Sequence, residues 1–263
     1  MIVVKIGGSV RRLDPLLEDI AVTTEQTIVV HGASRDLDDL STRLGSPPRM
    51  VESERGDVSR FTDATTMDHF LMAYAGRANK RIVERLRQLG VNAFGFCGLD
   101  GGVVTGMRRS SLRIHENGRI KVLHDNHVGS IHAVDAVLLG RLLAAGVTPV
   151  ICPPIAAEDG TAINVDGDRL AAEIAVALGA TLLIIFADTP GLLRDPADET
   201  SLIGRLSTHE AERLIPAIGG RARVKLRASA EARSRGVGAV CVADGRAQRP
   251  LFNALSGAGT WLR

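Results

Sequence analysis

The chain of 263 residues is predicted to be an α/β protein, a three-layer αβα sandwich with a mainly parallel central sheet, two lobes and a β-hairpin arm. Short runs rich in Val and Ile alternate with helix-length segments along the chain, which is typical of doubly wound folds. These runs are apolar at every position rather than at every second one. Continuous apolarity predicts strands that are covered on both faces, as in a parallel sheet.

The central strands are predicted, in chain order, at Ile2–Val4, Thr27–Val30, Val91–Phe96, Val147–Ile151, Thr181–Ala187 and Val237–Ala243. Between them, Met67–Leu89 and Asp166–Leu178 have apolar residues at the three- and four-residue spacing of a helix face. An acidic stretch, Ala156–Gly160, which follows Pro153-Pro154 closely, is the predicted boundary between an N-terminal lobe (1–160) and a C-terminal lobe (161–263).

One stretch departs from this alternation. Val103–Met107, Leu112–His115 and Arg119–Leu123 have the length of short antiparallel strands. The segment Glu116-Asn117-Gly118 supplies the Asn-Gly pair that is typical of a tight hairpin turn. The sequence therefore predicts a hairpin arm outside the alternating pattern.

The composition excludes several classes of protein. Hydrophobic residues make up 45% of the chain and charged residues 24%, as in ordinary globular proteins. Apolar runs such as Leu182–Ala187 are far shorter than the ~20 residues of a membrane span. A net charge of +2 argues against a nucleic-acid partner. No basic leader is visible, and Cys97, Cys152 and Cys241 lie singly in apolar segments, so we expect reduced thiols and a cytoplasmic location.

Polar or glycine-rich loops follow the predicted strands. Lys5-Ile6-Gly7-Gly8-Ser9 combines a point charge with glycines that let a phosphate approach the backbone. His31-Gly32-Ala33-Ser34, Asn164–Asp168 and Ala187–Leu192 are the other such loops. Each alone is equally typical of a tight turn or a helix cap. Together they predict one cleft, because ligands of open α/β sheets bind at the carboxyl ends of the strands.

Two common nucleotide-binding motifs are absent from the sequence. No Gly-Lys dipeptide occurs, which excludes a Walker A loop. The G-x-G pairs at Gly236 and Gly257 are followed by Cys241 and Leu262 where a dinucleotide fingerprint requires glycine.

A series of ordered motifs, spread over nearly the whole chain, resembles the amino acid kinase superfamily and within it the acetylglutamate kinase group. The motifs are V-K-I-G-G, V-V-H-G, Arg60-Phe61-Thr62, A-G-x-x-N-K at Ala75–Lys80, N-V-x-x-D, A-D-x-x-G-L, a lysine at 225 and a terminal G-x-G-T. Ser59–Asp63, Phe94–Gly101, Asn164–Asp168 and Leu255–Thr260 are most similar to the branch that phosphorylates glutamate or 2-aminoadipate attached to an amino-group carrier protein.

The resemblance implies transfer of the γ-phosphoryl group of ATP, with Mg²⁺ carried by ATP and no dedicated metal site. It assigns catalysis to Lys5, Lys225 and Asp168, acceptor binding to Gly8, Ala33, Ser34, Arg60 and Asn164, and ATP binding to Gly7, Asp188, Thr189, Gly191, Leu192 and Leu193. Acetylglutamate kinases have three glycines after the histidine, whereas this chain has Gly32-Ala33-Ser34. His31 is expected to be structural, and Lys225 lies in a basic run that would otherwise indicate a solvated helix face.

The predicted arm is basic. It contains Arg108, Arg109, Arg113, Arg119 and Lys121. A solvated hairpin, or a metal site built from the nearby histidines, would also fit such a segment. The resemblance favours a docking surface for a small acidic amino-group carrier protein. The positive charge of the arm would attract such a partner and accelerate its association.

Several alternatives stay open from the sequence. The acceptor carries either a glutamyl or an aminoadipyl group, which leaves the pathway (lysine, arginine or a specialised metabolite) undecided. Free N-acetyl-L-glutamate is the alternative substrate, and a silent ATP or amino-acid sensor is a third possibility. The chain begins with its first predicted strand, whereas arginine-inhibited acetylglutamate kinases have an added N-terminal helix, so the resemblance predicts a homodimer without arginine feedback.

Overall fold

The computed structural model describes residues 1–53, 58–116 and 118–263. The strands are β1 (Ile2–Ile6), β2 (Thr27–His31), β3 (Met50–Ser53), β4 (Val58–Arg60), β5 (Ala93–Gly98), β6 (Val104–Arg109), β7 (Leu112–Glu116), β8 (Arg119–Leu123), β9 (Val128–Val134), β10 (Thr148–Ala157), β11 (Ala162–Ile163), β12 (Leu182–Ala187), β13 (Arg205–Leu206), β14 (Ala239–Asp244) and β15 (Thr260–Leu262).

The α-helices are α1 (Asp14–Val22), α2 (Ser34–Arg43), α3 (Ala64–Phe70), α4 (Asn79–Gln88), α5 (Ala136–Ala144), α6 (Gly167–Ala177), α7 (Thr208–Leu214), α8 (Gly220–Ser234) and α9 (Pro250–Leu255). A π-helical segment, Leu71–Ala78, joins α3 to α4, so the predicted helix over 67–89 is one continuous helical run with a wider middle. Short 3₁₀ turns occupy Asp100–Gly102 and Glu199–Ser201. In the described part of the chain, no helix is both long and apolar enough to cross a bilayer.

The central sheet has the order β13-β15-β14-β12-β1-β2-β10-β6-β9, and β5 and β11 also pair with β10. The inner strands β14, β12, β1, β2 and β10 run parallel, while β15 is antiparallel to β14, β9 to β6 and β11 to β10. All six predicted strands are present in this sheet. The prediction of a mainly parallel central sheet is confirmed.

Both faces of this sheet are covered by helices, which explains why its strands are apolar at every position. Along β1, Val3 packs into a core shared with α5, α6 and α8. The residues that alternate with it, Ile2 and Val4, pack into a separate core with α1, α4 and α9. Two apolar layers on opposite sides of one sheet give the predicted three-layer sandwich.

The first predicted strand of the arm, Val103–Met107, is β6 of the central sheet, and the hairpin β7–β8 belongs to a second, smaller sheet. Its order is β4-β3-β7-β8, and β7 pairs with β8 from Leu112 opposite Leu123 to Glu116 opposite Arg119. Asn117, on which the turn prediction rested, lies outside the described residues. A small core of Val51, Phe61, Ile114 and Leu123 holds this sheet together.

The predicted lobe boundary falls on a turn inside the central sheet. Strand β10 ends at Ala157, and β11 pairs back onto it from Ala162. The division of the chain at residue 160 into an acceptor lobe and an ATP lobe stays a prediction.

Candidate functional site

Three glycines bring the loops after β1, β2 and β12 into close contact. A Cβ atom on Gly8 would lie 2.6 Å from the backbone nitrogen of Ser34, and one on Gly7 would lie 2.8 Å from the carbonyl oxygen of Phe186. A Cβ atom on Gly32 would lie 3.0 Å from the nitrogen of Gly8. Because a side chain at any of these positions would meet backbone atoms, the packing requires glycine. The loops border a cavity of about 400 Å³ at the carboxyl end of the sheet.

Lys5, Asp168 and Lys225 meet in the wall of this cavity, although they belong to three separate elements. Lys5 lies on β1, on the same face as Val3, and points toward α6. Its Nζ is 2.5 Å from Oδ1 of Asp168, the second residue of α6. The Nζ of Lys225 on α8 donates to Oδ2 of the same carboxylate at 2.9 Å. One carboxylate therefore holds two ammonium groups, one on each oxygen.

This cluster is largely shielded from water. The side chains of Lys5, Asp168 and Lys225 are 7%, 4% and 15% exposed. Burial alone would raise the pKa of Asp168, but the two ammonium groups outweigh burial and hold that pKa at about 2. The cluster contains two positive charges and one negative charge at neutral pH. It carries a net positive charge that an anion entering the cavity can neutralise.

The N-terminus of α6 adds a second carboxylate to the cavity. Asp166 caps the helix, and its Oδ1 accepts hydrogen bonds from the backbone nitrogens of Asp168 and Arg169 at 2.9 and 3.0 Å. Partial loss of hydration in the cavity wall, together with repulsion from Asp168, raises the pKa of Asp166. Asp166 thus explains part of the Asn/Asp/Gly/Asp pattern as a helix cap.

The predicted acceptor residues lie on the side of the cavity next to the small sheet. Arg60 and Asn164 both line the cavity. Arg60 is ion-paired with Asp38, yet its Nε is buried and forms no hydrogen bond with the protein. The Nδ2 of Asn164 donates to Oγ1 of Thr62 at 3.3 Å. The planar guanidinium of Arg60 in the cavity wall can donate to an acceptor oxygen of a ligand.

The loop after β12 forms the opposite side. Asp188, Thr189, Gly191 and Leu192 line the cavity, and so do Gly7, Gly8 and Ser34. The loop is fixed by Thr260, whose Oγ1 accepts from the backbone nitrogen of Leu192 at 2.8 Å. Two residues predicted to bind ligands, Ala33 and Leu193, are instead buried and lie outside the set of lining residues.

Several residues that sequence reasoning did not assign also shape the site. Phe70 and Tyr74 line the cavity with stacked rings whose centroids are 3.8 Å apart, and burial raises the pKa of Tyr74 to about 12. Arg221, one helical turn before Lys225, lines it as well. Tyr74 lies on the π-helical segment. In the sequence its spacing is the same as that of an ordinary apolar residue on a helix face, so the pattern does not identify Tyr74 as a cavity residue.

The histidine of the V-V-H-G motif has a structural role next to the site. His31 is fully buried, and burial lowers its pKa to about 4, so it is neutral at pH 7. Its Nε2 accepts from Nδ2 of Asn79, which also donates to the carbonyl oxygen of Val150 at 2.9 Å. Next to it, Lys80 donates to the carbonyl oxygen of Gly95 at 2.7 Å. The A-G-x-x-N-K motif thus ties the helical run to the sheet, and the expected structural role of His31 agrees with this geometry.

The basic residues of the arm lie outside the cavity, and Arg108 and Lys121 have partners nearby. Arg108 bonds to Asp125 and to the carbonyl oxygen of Asn126, and Lys121 bonds to Glu116. Arg109, Arg113 and Arg119 are exposed. Over the ranges that the structure describes, no group of three or more His, Cys, Asp or Glu side chains is arranged to hold a metal ion.

Comparisons with known proteins identify the class. The model of the amino acid kinase family matches residues 1–244. The [LysW]-aminoadipate kinase of Deinococcus radiodurans is 45% identical over 264 residues, which cover 99% of this chain and 90% of that protein. The acetylglutamate kinase of Methanopyrus kandleri is 40% identical over 214 residues, 81% of this chain and 82% of that protein.

Among solved structures, the N-acetylglutamate synthase of Neisseria gonorrhoeae superposes with a TM-score of 0.80 at 25% identity. The alignment covers 99% of this chain but only 58% of the synthase, so the likeness concerns one part of a longer protein. The fold and the site belong to an α/β phosphotransferase class. The chain is a member of the amino acid kinase family.

Proposed function

We propose that this protein transfers the γ-phosphoryl group of ATP to the side-chain carboxylate of an amino acid that is attached to an amino-group carrier protein. The product is an acyl phosphate. The observation that carries this proposal is the pair of ammonium groups, Lys5 and Lys225, held by Asp168 in the cavity wall. The relative from Deinococcus radiodurans, aligned over 99% of this chain, is named for the same reaction on LysW-linked aminoadipate.

The reaction requires charge neutralisation more than proton transfer. A side-chain carboxyl group has a pKa of about 4.3 and is ionised at neutral pH, so the nucleophile needs no general base. The carboxylate and the polyphosphate repel each other, and the transferring group spreads negative charge over its oxygens. Fixed cations at that point lower the barrier because they are already oriented before the reaction.

Lys5 and Lys225 supply these cations, and Asp168 is their positioning residue. Because one carboxylate contacts both Nζ atoms, at 2.5 and 2.9 Å, it fixes the separation of the two ammonium groups. Its low pKa keeps it ionised throughout the working pH range. In the reaction, the bond from the γ-phosphorus to the β,γ-bridging oxygen breaks, and a bond to the acceptor carboxylate oxygen forms. The departing charge stays on ADP.

The glycine loops cradle the phosphates. Gly7, Gly8 and Ser34 line the cavity, and the small side chains of these loops let polyphosphate oxygens approach their backbone nitrogens. Asp188, Thr189, Gly191 and Leu192 contact the rest of ATP. Carboxylates of Asp166 and Asp188 line the cavity and fit an ion that takes most of its ligands from phosphate and water. Mg²⁺ bound with ATP would supply further neutralisation of the β- and γ-phosphates.

Arg60 and Asn164 bind the acceptor. The Arg60 guanidinium binds a carboxylate or amide oxygen, and the Asn164 amide hydrogen-bonds to the linkage to the carrier. The exposed arginines Arg109, Arg113 and Arg119, with Arg108 and Lys121, form the docking surface for a small acidic carrier protein. This surface flanks the strand that ends in Arg60, since β4 and β7 both pair with β3.

Competition between acceptors tests this proposal. Carrier-linked aminoadipate, carrier-linked glutamate and free N-acetyl-L-glutamate are compared in kcat/KM, with the acyl phosphate trapped by hydroxylamine. We expect a carrier-linked acceptor to be preferred by about 100-fold or more, which corresponds to about 2.8 kcal/mol. A preference for the free compound would instead support acetylglutamate kinase activity, the second candidate, which the Methanopyrus kandleri relative favours. The two carrier-linked acceptors differ by one methylene, so their ratio shows which of them the pocket fits.

The protein is further proposed to be a cytoplasmic homodimer. Cys97, Cys152 and Cys241 are all buried free thiols, as expected in a reducing compartment. Phe94 on β5 and Met72 on the π-helical segment are 54% and 53% exposed, and they give apolar area for a second copy. Sedimentation of the wild type and of Phe94→Glu tests this, since the variant should sediment as a monomer.

A further inference from the structure

The acceptor side of the main cavity contains a polar group that charge neutralisation by the two lysines does not involve, the hydroxyl of Tyr74. Tyr74 is 7% exposed, and it lines the cavity together with Arg60 and Asn164. Its ring stacks on that of Phe70, with the centroids 3.8 Å apart and the ring planes inclined by 14°. Because stacking restricts the ring, the hydroxyl at its end has a defined position in the cavity wall.

Packing accounts for the ring of Tyr74 but not for its hydroxyl. Tyr74 lies on the π-helical segment Leu71–Ala78, and segments of this kind are frequent at functional sites. A phenylalanine would fill the same space against Phe70 without placing a polar atom in a largely buried position. The hydroxyl group therefore has a purpose other than filling the core.

The hydroxyl has an unused hydrogen-bond donor. The backbone N–H of Ala33 donates to its oxygen, which leaves the hydroxyl proton for another partner. Within residues 1–53, 58–116 and 118–263, no protein group accepts this proton. Leaving a largely buried donor unsatisfied is costly, so the position favours a ligand that brings an acceptor oxygen into the cavity.

The charges around the hydroxyl favour an anionic oxygen. The guanidinium of Arg60 lowers the pKa of Tyr74, and this effect is larger than the opposite effect of the Asp166 carboxylate. Burial is the strongest influence and raises the pKa to about 12, so the phenol stays protonated at neutral pH. Tyr74 can therefore donate a hydrogen bond but cannot act as a base. A carboxylate that binds the guanidinium of Arg60 is an acceptor of the required kind.

The acceptor of the proposed reaction has two carboxylates. The side-chain carboxylate attacks the γ-phosphorus beside Lys5 and Lys225, whereas the α-carboxylate remains free because the amino group is attached to the carrier. Resting on the proposed function, we infer that the hydroxyl of Tyr74 donates to this α-carboxylate, which Arg60 binds as well. Donors from two separate elements then fix the α-carbon relative to the lysines, and an acceptor without an α-carboxylate is rejected.

Tyr74→Phe tests this role because it removes the hydroxyl and keeps the stacked ring. A hydrogen bond to a charged group that is equally strong in the ground state and the transition state acts on KM alone. We expect KM for the carrier-linked acceptor to rise about 10- to 100-fold, with kcat and KM for ATP nearly unchanged. Leu71→Met is the matched control on the same segment, outside the residues that line the cavity, and should behave as the wild type does. Equal effects on the acceptor and ATP, or the same loss in the control, would overturn the proposal.

Acceptors that lack the α-carboxylate locate the contact. Carrier-linked 5-aminopentanoate is carrier-linked 2-aminoadipate without this group. The wild type should use it poorly, and Tyr74→Phe should then cause less than about a twofold further change, since the hydroxyl no longer has its partner. A loss as large as that seen with the complete acceptor would overturn the assignment to the α-carboxylate.

A spectroscopic measurement observes the hydroxyl directly. Tyr74 is the single tyrosine of the chain, so protein labelled with tyrosine that carries ¹³C at Cζ gives one tyrosine resonance. Saturation with the carrier-linked acceptor should shift this resonance, and an unmoved resonance would overturn the proposal. If only free N-acetyl-L-glutamate is phosphorylated, the proposed function fails. Tyr74 is then tested separately with that compound and 4-acetamidobutyrate, its analogue without the α-carboxylate; equal losses in Tyr74→Phe with both would overturn the role of Tyr74 as well.

Discussion

Replacing Asp168 with asparagine removes the carboxylate that contacts both Lys5 and Lys225 while keeping the size of the side chain. The pKa of Asp168 is about 2 in the folded protein, against about 3.9 in an unfolded chain. This lowering of the pKa corresponds to roughly 2–3 kcal/mol of stabilisation. Breaking a buried ion pair on one side typically costs about 3–5 kcal/mol. We therefore expect Asp168→Asn to lower the free energy of unfolding by about 3 kcal/mol at pH 7.

The sign of the pH dependence follows from the lowered pKa. The stabilisation is fully present above about pH 4, the unfolded-state pKa, and is lost as the pH falls through about 2. Urea denaturation followed by circular dichroism at pH 5, 6, 7 and 8 should therefore give the same difference between variant and wild type at each pH. A difference below about 1 kcal/mol, the value of a solvent-exposed pair, would refute the reasoning.

A matched control and a ligand effect sharpen this test. Asp135→Asn changes an aspartate that caps α5, where asparagine is an equally good cap, so its effect should be small. ATP brings phosphate charges to the two lysines. It should therefore raise the melting temperature of Asp168→Asn by more than it raises that of the wild type.

Three further predictions concern the loop, the buried histidine and the arm. Gly8→Ala places a methyl group 2.6 Å from the nitrogen of Ser34, so the loops must separate, and kcat/KM for ATP should fall by about 100-fold in steady-state assays. The pKa of His31 is about 4, so NMR titration should show a neutral imidazole from pH 5.5 to 8. The free energy of unfolding should fall as the pH drops from about 6.5 toward 4, because over this range His31 binds a proton in the unfolded chain but not in the folded protein. Arg109→Glu combined with Arg119→Glu should slow carrier association in stopped-flow measurements and weaken its salt dependence, with KM for ATP unchanged.

Each of these three has a control and a contrary outcome. Gly140→Ala lies on α5 with open space around it and should leave activity intact; equal losses in both glycine variants would contradict the loop argument. Protonation of His31 near pH 6.5 would mean that it is not buried as described. For the arm, Arg87→Glu reverses the charge of one exposed residue on α4, outside the arm, and a similar loss of carrier association there would show that net charge rather than the arm matters.

The central sheet was predictable because its strands are buried on both faces. Segments such as Thr181–Ala187 are apolar at every position, and only a two-sided environment accounts for that. The small sheet was only half predictable. Strands β7 and β8 carry a turn signal, whereas β3 and β4 are three or four residues long, largely exposed, and too short for any periodicity to identify them.

The site was predictable in its residue types but not in its geometry. Lys5 and Lys225 are 220 residues apart, and only the resemblance to a known family implied that they act together. Their common contact with Asp168 depends on α6 packing against both β1 and α8, which is a property of the tertiary structure. The burial of Ala33 and Leu193 likewise follows from packing that neither residue reveals in the sequence.

Single-turnover phosphoryl transfer tests the central claim most directly. Rapid quenching follows γ-labelled ATP as its phosphoryl group moves to the carrier-linked acceptor, in the wild type and in Lys5→Met and Lys225→Met. Removing either cation should slow transfer by about 100- to 1,000-fold, while the Kd of ATP changes by less than about tenfold. Transfer at the wild-type rate in either variant would contradict the account.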